Sequence, residues 1–262
     1  MNTYKDYLKS KNRFNLLVKL TQIFIIFLFI IIWQILSSKN IINPFIFSSP
    51  IKVIKTIIDL YTKSNLFKHI WVTLYETIIS FFLGTIIGIS IATILWSNKF
   101  IAKVIDPFLT ILNSLPKVAL GPIIIIWFGS GIKSIIIMAL LISTIITIIN
   151  VYEAFISIDE IKIKLLKSFN ASKAFIFTKL IFPGSINAIL STLIINISMS
   201  LVGVIMGEFL VSKQGIGYLI MYGSQVFNLN LVITGIIILA FISYFMYLGI
   251  IYIKKKIVKN FS

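Results

Sequence analysis

Eight acids, a single histidine and no cysteine are all this chain offers for acid–base, metal or thiol chemistry. The acids are Asp6, Asp59, Glu76, Asp106, Glu153, Asp159, Glu160 and Glu208, and only Asp159 and Glu160 are sequence neighbours. An enzyme needs clustered catalytic groups, so the chain is expected not to be one. The lack of cysteine removes disulfides, thiol catalysis and thiolate metal sites. His69 stands alone, which excludes a histidine-containing metal cluster, and near a span end it reads as polar surface. The residues that stand out are polar or helix-breaking groups inside apolar runs. Lys117 sits between Pro116 and Pro122, Asn196 and Ser200 lie in another run, and Glu208 ends it. Charge at membrane depth is costly and points to function. These six are the candidates for lining a translocation path. For Lys117 the alternative is snorkelling to the outer interface. Glu208 can cap, pair or line a gate, ahead of a turn loosened by Gly215 and Gly217.

The elements that carry these residues are apolar helices. Of 262 residues 58% are hydrophobic and 12% charged, with a mean hydropathy of +1.04. A soluble domain carries roughly a quarter charged residues. Apolar runs recur at about 16–36, 72–96, 101–128, 134–151, 184–208 and 231–253. These predict an all-α polytopic bundle of about six spans, since a backbone in lipid must satisfy its own hydrogen bonds. No period-2 alternation supports a barrel. The first run is longer than a signal-peptide core and no A-x-A site follows it, so it reads as a retained span.

A net charge of +16 in a soluble protein would suggest nucleic acid. Here the lysines lie between spans, so no nucleic-acid partner is expected and the charge reports orientation. With the N-terminus inside, the inner segments hold five basic residues near the N-terminus, Lys99 and Lys103, five in 153–183 and four in 254–259. The outer segments hold five in 37–71, Lys133 and Lys213. Both termini are therefore expected in the cytoplasm. The outer 37–71 segment repeats Ile51, Ile54, Ile58 and Tyr61, the pattern of an amphipathic helix on the membrane surface.

Helices approach closely in lipid where residues are small. One stripe runs Ser80, Gly84, Gly88, Ala92, and another Asn196, Ser200, Gly203, Gly207; Gly84, Gly88, Gly203 and Gly207 are the expected packing positions. Between spans lies EAFISIDEIKIKLLKSFNASKAFIFTKLIFPGSI, residues 153–186. Ile158, Ile161, Leu165 and Phe169 share one helical face. Ser172 can cap a second short helix from Lys173 to Phe182, which Pro183 is expected to end.

That segment resembles the EAA loop of bacterial ABC-importer permeases, inner-membrane components of binding-protein-dependent transport. DPFLTILNSLPKVALGPIIIIWFGSG (106–131), GEFLVSKQGIGYLI (207–220) and FIFSSPIKV resemble flanking stretches of the nitrate, sulfonate and taurine branch. The resemblance covers about residues 45–255. Phe155 stands where the second Ala of E-A-A is usual and Asn170 where the family has Gly; asparagine tolerates the left-handed region best among non-glycine residues. An Ala-Arg pair usual shortly before that Gly is replaced by Leu166, Lys167 and Ser168.

The resemblance implies an N-terminal span and outer segment (1–71), a permease domain (72–255) with coupling loop 153–183, and a cytoplasmic tail (256–262). It implies that Glu153, Ala154, Leu165, Phe169, Asn170, Ala171, Ser172, Phe175 and Pro183 form the loop that couples to a cytoplasmic ATPase, with Phe177 a further anchor. It further implies a second permease copy, most simply a homodimer, an extracytoplasmic solute-binding protein, and a bacterial plasma-membrane location. The small solute would be of sulfonate, nitrate, taurine or vitamin-precursor type. The chain has no G-x-x-x-x-G-K-[ST] phosphate loop, so ATP would be used by the partner and no cofactor or metal bound by this chain. The alternative is a self-contained secondary transporter or channel, though no clear internal repeat supports it.

Overall fold

The computed structural model describes residues 2–261, with side chains from 7 to 258. Eleven α-helices occur among them: α1 (Asn2–Ser38), α2 (Pro50–Lys63), α3 (Leu66–Ser97), α4 (Lys99–Ser114), α5 (Gly121–Phe128), α6 (Ile132–Ile156), α7 (Glu160–Ser168), α8 (Lys173–Ile176), α9 (Phe182–Val211), α10 (Ile216–Gln225) and α11 (Leu229–Phe261). A 3-10 turn (Lys117–Leu120) precedes α5 and a π turn (Phe177–Ile181) joins α8 to α9. No strand occurs among the described residues. Five helical stretches are long and apolar enough to cross a bilayer, and α4 with α5 makes a sixth if the bent pair is one span. The chain is thus a multi-pass helical membrane protein, as its hydropathy predicts.

Two compact units form. One takes residues up to 64 together with 223–234. In it Trp33 Nε1 donates to the Phe47 carbonyl at 3.2 Å, and Ser37 Oγ to that of Ser48 at 2.8 Å. These tie α1 to the start of α2, where Ser49 accepts from Lys52 N–H and Pro50 takes the first turn. The expected amphipathic helix is α2, with Val53 and Leu60 buried and Ile51, Ile54 and Ile58 exposed.

The other unit, 65–222 with 235 onward, is organised around α6. Both small-residue stripes meet it. A Cβ added at Gly84 would lie 2.7 Å from Ser143 Oγ, and one at Gly88 2.6 Å from Thr147 Cγ2. Across α9, Gly203 rests on the backbone of Ala139, and a Cβ at Gly207 would come within 2.9 Å of Ile135 Cα. The two stripes thus bring α3 and α9 against one central helix.

Proline acts differently at three positions, and the expectation for Pro183 needs correction. Pro107 lies inside α4 without interrupting it, so the third span breaks only at Leu115–Pro116. Leu115 is extended (φ −64°, ψ 137°), the conformation a following proline imposes. Pro183 does not end the second short helix; the helical run continues from Lys173 to Val211. In the π turn Phe182 N–H bonds the Phe177 carbonyl, five residues back. The widened turn places Pro183 in the first turn of α9, where a missing N–H costs little.

Candidate functional site

The 153–183 segment forms a bracket on the ends of the core helices. Asp159 caps α7, accepting from Ile161 N–H at 2.8 Å. At the other end Asn170 adopts φ 55°. Asn170 N–H bonds the Lys167 carbonyl at 2.9 Å and Ala171 N–H that of Leu166 at 3.1 Å. This is a Schellman stop with asparagine in the place glycine usually takes. Ser172 then caps α8, accepting from Phe175 N–H at 3.2 Å. The helix–turn–helix expected from sequence is present, with its asparagine turn intact.

The bracket has an inner and an outer side. Inward, Ile158, Ile163 and Leu166 pack on a core of Ala92, Val151, Phe155, Ile176, Ile181 and Ile189. Phe155 is fully buried and meets Phe177 edge-on at 5.3 Å, while Trp96 meets Phe177 at 5.0 Å. Phe177 therefore belongs to the base, not to the exposed anchors, because the π turn rotates it toward the bundle. The bulk of Phe155, in place of alanine, fills that same base. Outward, Ile161 (73% exposed), Leu165 (56%), Phe169 (74%) and Phe175 (47%) make an uncovered apolar ridge. Ile158 leaves the shared face predicted for it and turns inward. Glu153 is exposed at the end of α6, whereas Ala154 is buried, its carbonyl accepting from Ser185 Oγ at 2.9 Å. The Glu160–Lys164 pair, 3.7 Å apart, is largely exposed and contributes little.

The six path candidates do not come together. Pro116 and Pro122 are exposed and flank a corner of 89° between α4 and the 117–128 helical stretch. Half-buried Lys117 donates to the Asn113 carbonyl at 2.6 Å. It thereby neutralises the carbonyl-rich end of α4. Asn196 and Ser200 are wholly buried between helices; Asn196 Nδ2 donates to Thr85 Oγ1 at 2.7 Å, pinning α9 to α3.

Glu208 is also buried, in a clasp that sequence spacing did not disclose. Its Oε1 accepts from Thr73 Oγ1 at 2.6 Å and its Oε2 from Gly217 N–H at 2.6 Å. Thr73 Oγ1 accepts in turn from Ile216 N–H at 2.9 Å. Gly215 (φ +106°) lies against the Glu208 carboxyl, where a side chain would collide. His69 is half-buried rather than simple surface: its Nδ1 accepts from Gly215 N–H at 3.1 Å, and its ring stacks on Tyr218. Of the three roles open to Glu208, pairing with this turn is the one observed. Thr73 carried no signal in the sequence, being one hydroxyl among many in an apolar run.

Residues 84–259 match the family described as "Binding-protein-dependent transport system inner membrane component". A probable ABC transporter permease protein of Haemophilus influenzae is 28% identical over 91% of this chain and 97% of its own length. The formylaminopyrimidine transport permease protein of Halalkalibacterium halodurans is 29% identical over 72% of this chain and 74% of its own. A putative aliphatic sulfonates transport permease protein of Bacillus subtilis is 27% identical, over 80% and 76% respectively. Among solved structures, a chain of a bacterial ABC transporter involved in import of the acidic polysaccharide alginate superposes with a TM-score of 0.66 at 14% identity, covering 93% of this chain and 99% of that one.

Proposed function

Because the chain belongs to the binding-protein-dependent transport inner-membrane family, and so is the membrane-spanning permease subunit of an ABC importer, we propose that the α7–α8 bracket is the handle by which a separate ATPase subunit drives it. The observation that carries this is the outward ridge of Ile161, Leu165, Phe169 and Phe175 on a base buried into α3, α6 and α9. Exposed aromatic and aliphatic anchors on a rigid mount suit insertion into a protein groove. A push on that mount reaches three core helices at once. On this reading ATP is bound and hydrolysed on the partner, and the lysine distribution supports a cytoplasmic position for bracket and termini.

The same reading assigns a second copy of this chain across the path and an external solute-binding protein that delivers the solute. Relatives named for aliphatic sulfonates and for formylaminopyrimidine support a small sulfonate, nitrate, taurine or vitamin-precursor type of solute. The test is co-purification with the cognate ATPase after co-expression. Wild type brings it down in stoichiometric amount, whereas Phe169→Ala with Phe175→Ala loses it while eluting as a folded permease. Retention of the ATPase by that variant overturns the assignment.

A further inference from the structure

Where α3 ends and α4 begins, the chain passes behind α7 and α8 and leaves a cavity of about 350 Å³. Its walls carry Trp96, Lys99, Glu160, Lys164, Lys167 and Lys173. A second cavity of about 260 Å³ shares Trp96, Lys99 and Glu160 and adds Lys103. Four ammonium groups thus line the first cavity with one carboxylate, and a fifth, Lys103, lines its neighbour. That carboxylate already faces Lys164 at 3.7 Å. Lys173 Nζ donates to the Ser97 carbonyl at the end of α3, which fixes it at the rim. Among the described residues no carboxylate lies within ion-pairing distance of Lys99, Lys103 or Lys167. Like charges gathered around a concavity repel, and an anion seated there turns that repulsion into attraction.

The cavity is amphipathic. Ile163, Ile176 and the Trp96 indole form its apolar wall, at the last turn of a membrane-spanning helix. Tryptophan at a span end marks headgroup level. Lysines beside an indole at that depth match a phosphate ester whose acyl chains continue along the apolar helices. We propose that this cavity binds a phosphate group, that of an anionic phospholipid, with Lys99, Lys167 and Lys173 as donors. Inorganic phosphate presents similar oxygens but gains nothing from the apolar wall. Bound there, the lipid ties α7 to the α3–α4 junction. The site is built within the permease alone and shares α7 and α8 with the proposed docking ridge, whose apolar residues do not line it.

The experiment uses the full chain in phosphatidylcholine nanodiscs, with phosphatidylglycerol or inorganic phosphate added. Retained lipid is counted by native mass spectrometry, and amide exchange is followed in 160–168. Phosphatidylglycerol is expected to be retained and to slow exchange there, while inorganic phosphate does neither. The triple variant Lys99→Gln, Lys167→Gln, Lys173→Gln should retain on the order of tenfold less lipid and lose the protection. A control triple at Lys254, Lys255 and Lys256 should keep the protection of 160–168, whatever lipid its own basic cluster sheds. Equal loss of that protection in both triples, or none in the first, overturns the site. Equal protection by inorganic phosphate overturns its assignment to lipid.

Discussion

Thr73 and Glu208 lie 135 residues apart in sequence and meet at 2.6 Å, where a single hydroxyl donates to the carboxyl and accepts from the N–H that opens α10. All three residues are buried, so the carboxyl oxygen and the Ile216 N–H would each lose this partner without water to replace it. Three elements are therefore locked by one side chain. Thr73→Val keeps the shape and removes both bonds, so it should cost on the order of 1–2 kcal/mol. Thr73→Ser should recover most of it. Thermal unfolding in detergent followed by tryptophan fluorescence reads the difference, and an unchanged midpoint in the valine variant would show the clasp to be idle.

Gly203 sits directly on the Ala139 backbone, while Gly249 has open space around it. Alanine at 203 must push α9 off α6, an overpacking that costs about 1–3 kcal/mol; alanine at 249 should be silent. The pair holds chemistry constant and changes only the neighbour. Monodisperse yield and melting temperature of the two variants should separate clearly.

The Asn170 turn is a question of backbone, not side chain. With φ at 55°, glycine is at least as comfortable there, so Asn170→Gly should leave ATPase stimulation unchanged. Asn170→Val should raise local strain by about 1–2 kcal/mol and open the bracket to protease between 166 and 173. Equal protease resistance of the two variants would show that the left-handed turn does not hold the bracket closed.

Lys117→Met removes the cation from the end of α4, a contribution of about 0.3–1 kcal/mol. The expected result is faster amide exchange at 113–121 with the remainder of the bundle unaffected. Uptake of an anionic solute measured in the same variant separates a corner cap from a path residue. Loss of uptake with unchanged exchange would make Lys117 a path residue and not a cap.

Some of this architecture can be read along the chain because its causes are local. The Ser172 cap, the left-handed Asn170 and the break before Pro116 depend on residues one to five positions away. The small-residue stripes announced that α3 and α9 meet something closely, though not that both meet α6. The outer ridge was half legible: Ile161, Leu165 and Phe169 followed helical spacing, but Ile158 and Phe177 depended on which side the bundle lay. Pro183 misled because a π turn, which has no simple sequence signature, absorbed the break it would otherwise cause.

The sequence by itself determined that this is a helical, multi-pass membrane protein with a bracket between two spans. A bilayer makes each span satisfy its own backbone, so hydropathy summed along the chain is enough. Only the tertiary structure decided that Glu208 closes on Thr73 and Gly217, that Phe155 and Phe177 meet edge-on as a base, and that lysines from α4, α7 and α8 share one cavity. Those outcomes depend on partners brought from distant elements, and no span carries in its own composition the identity of the surface it will meet.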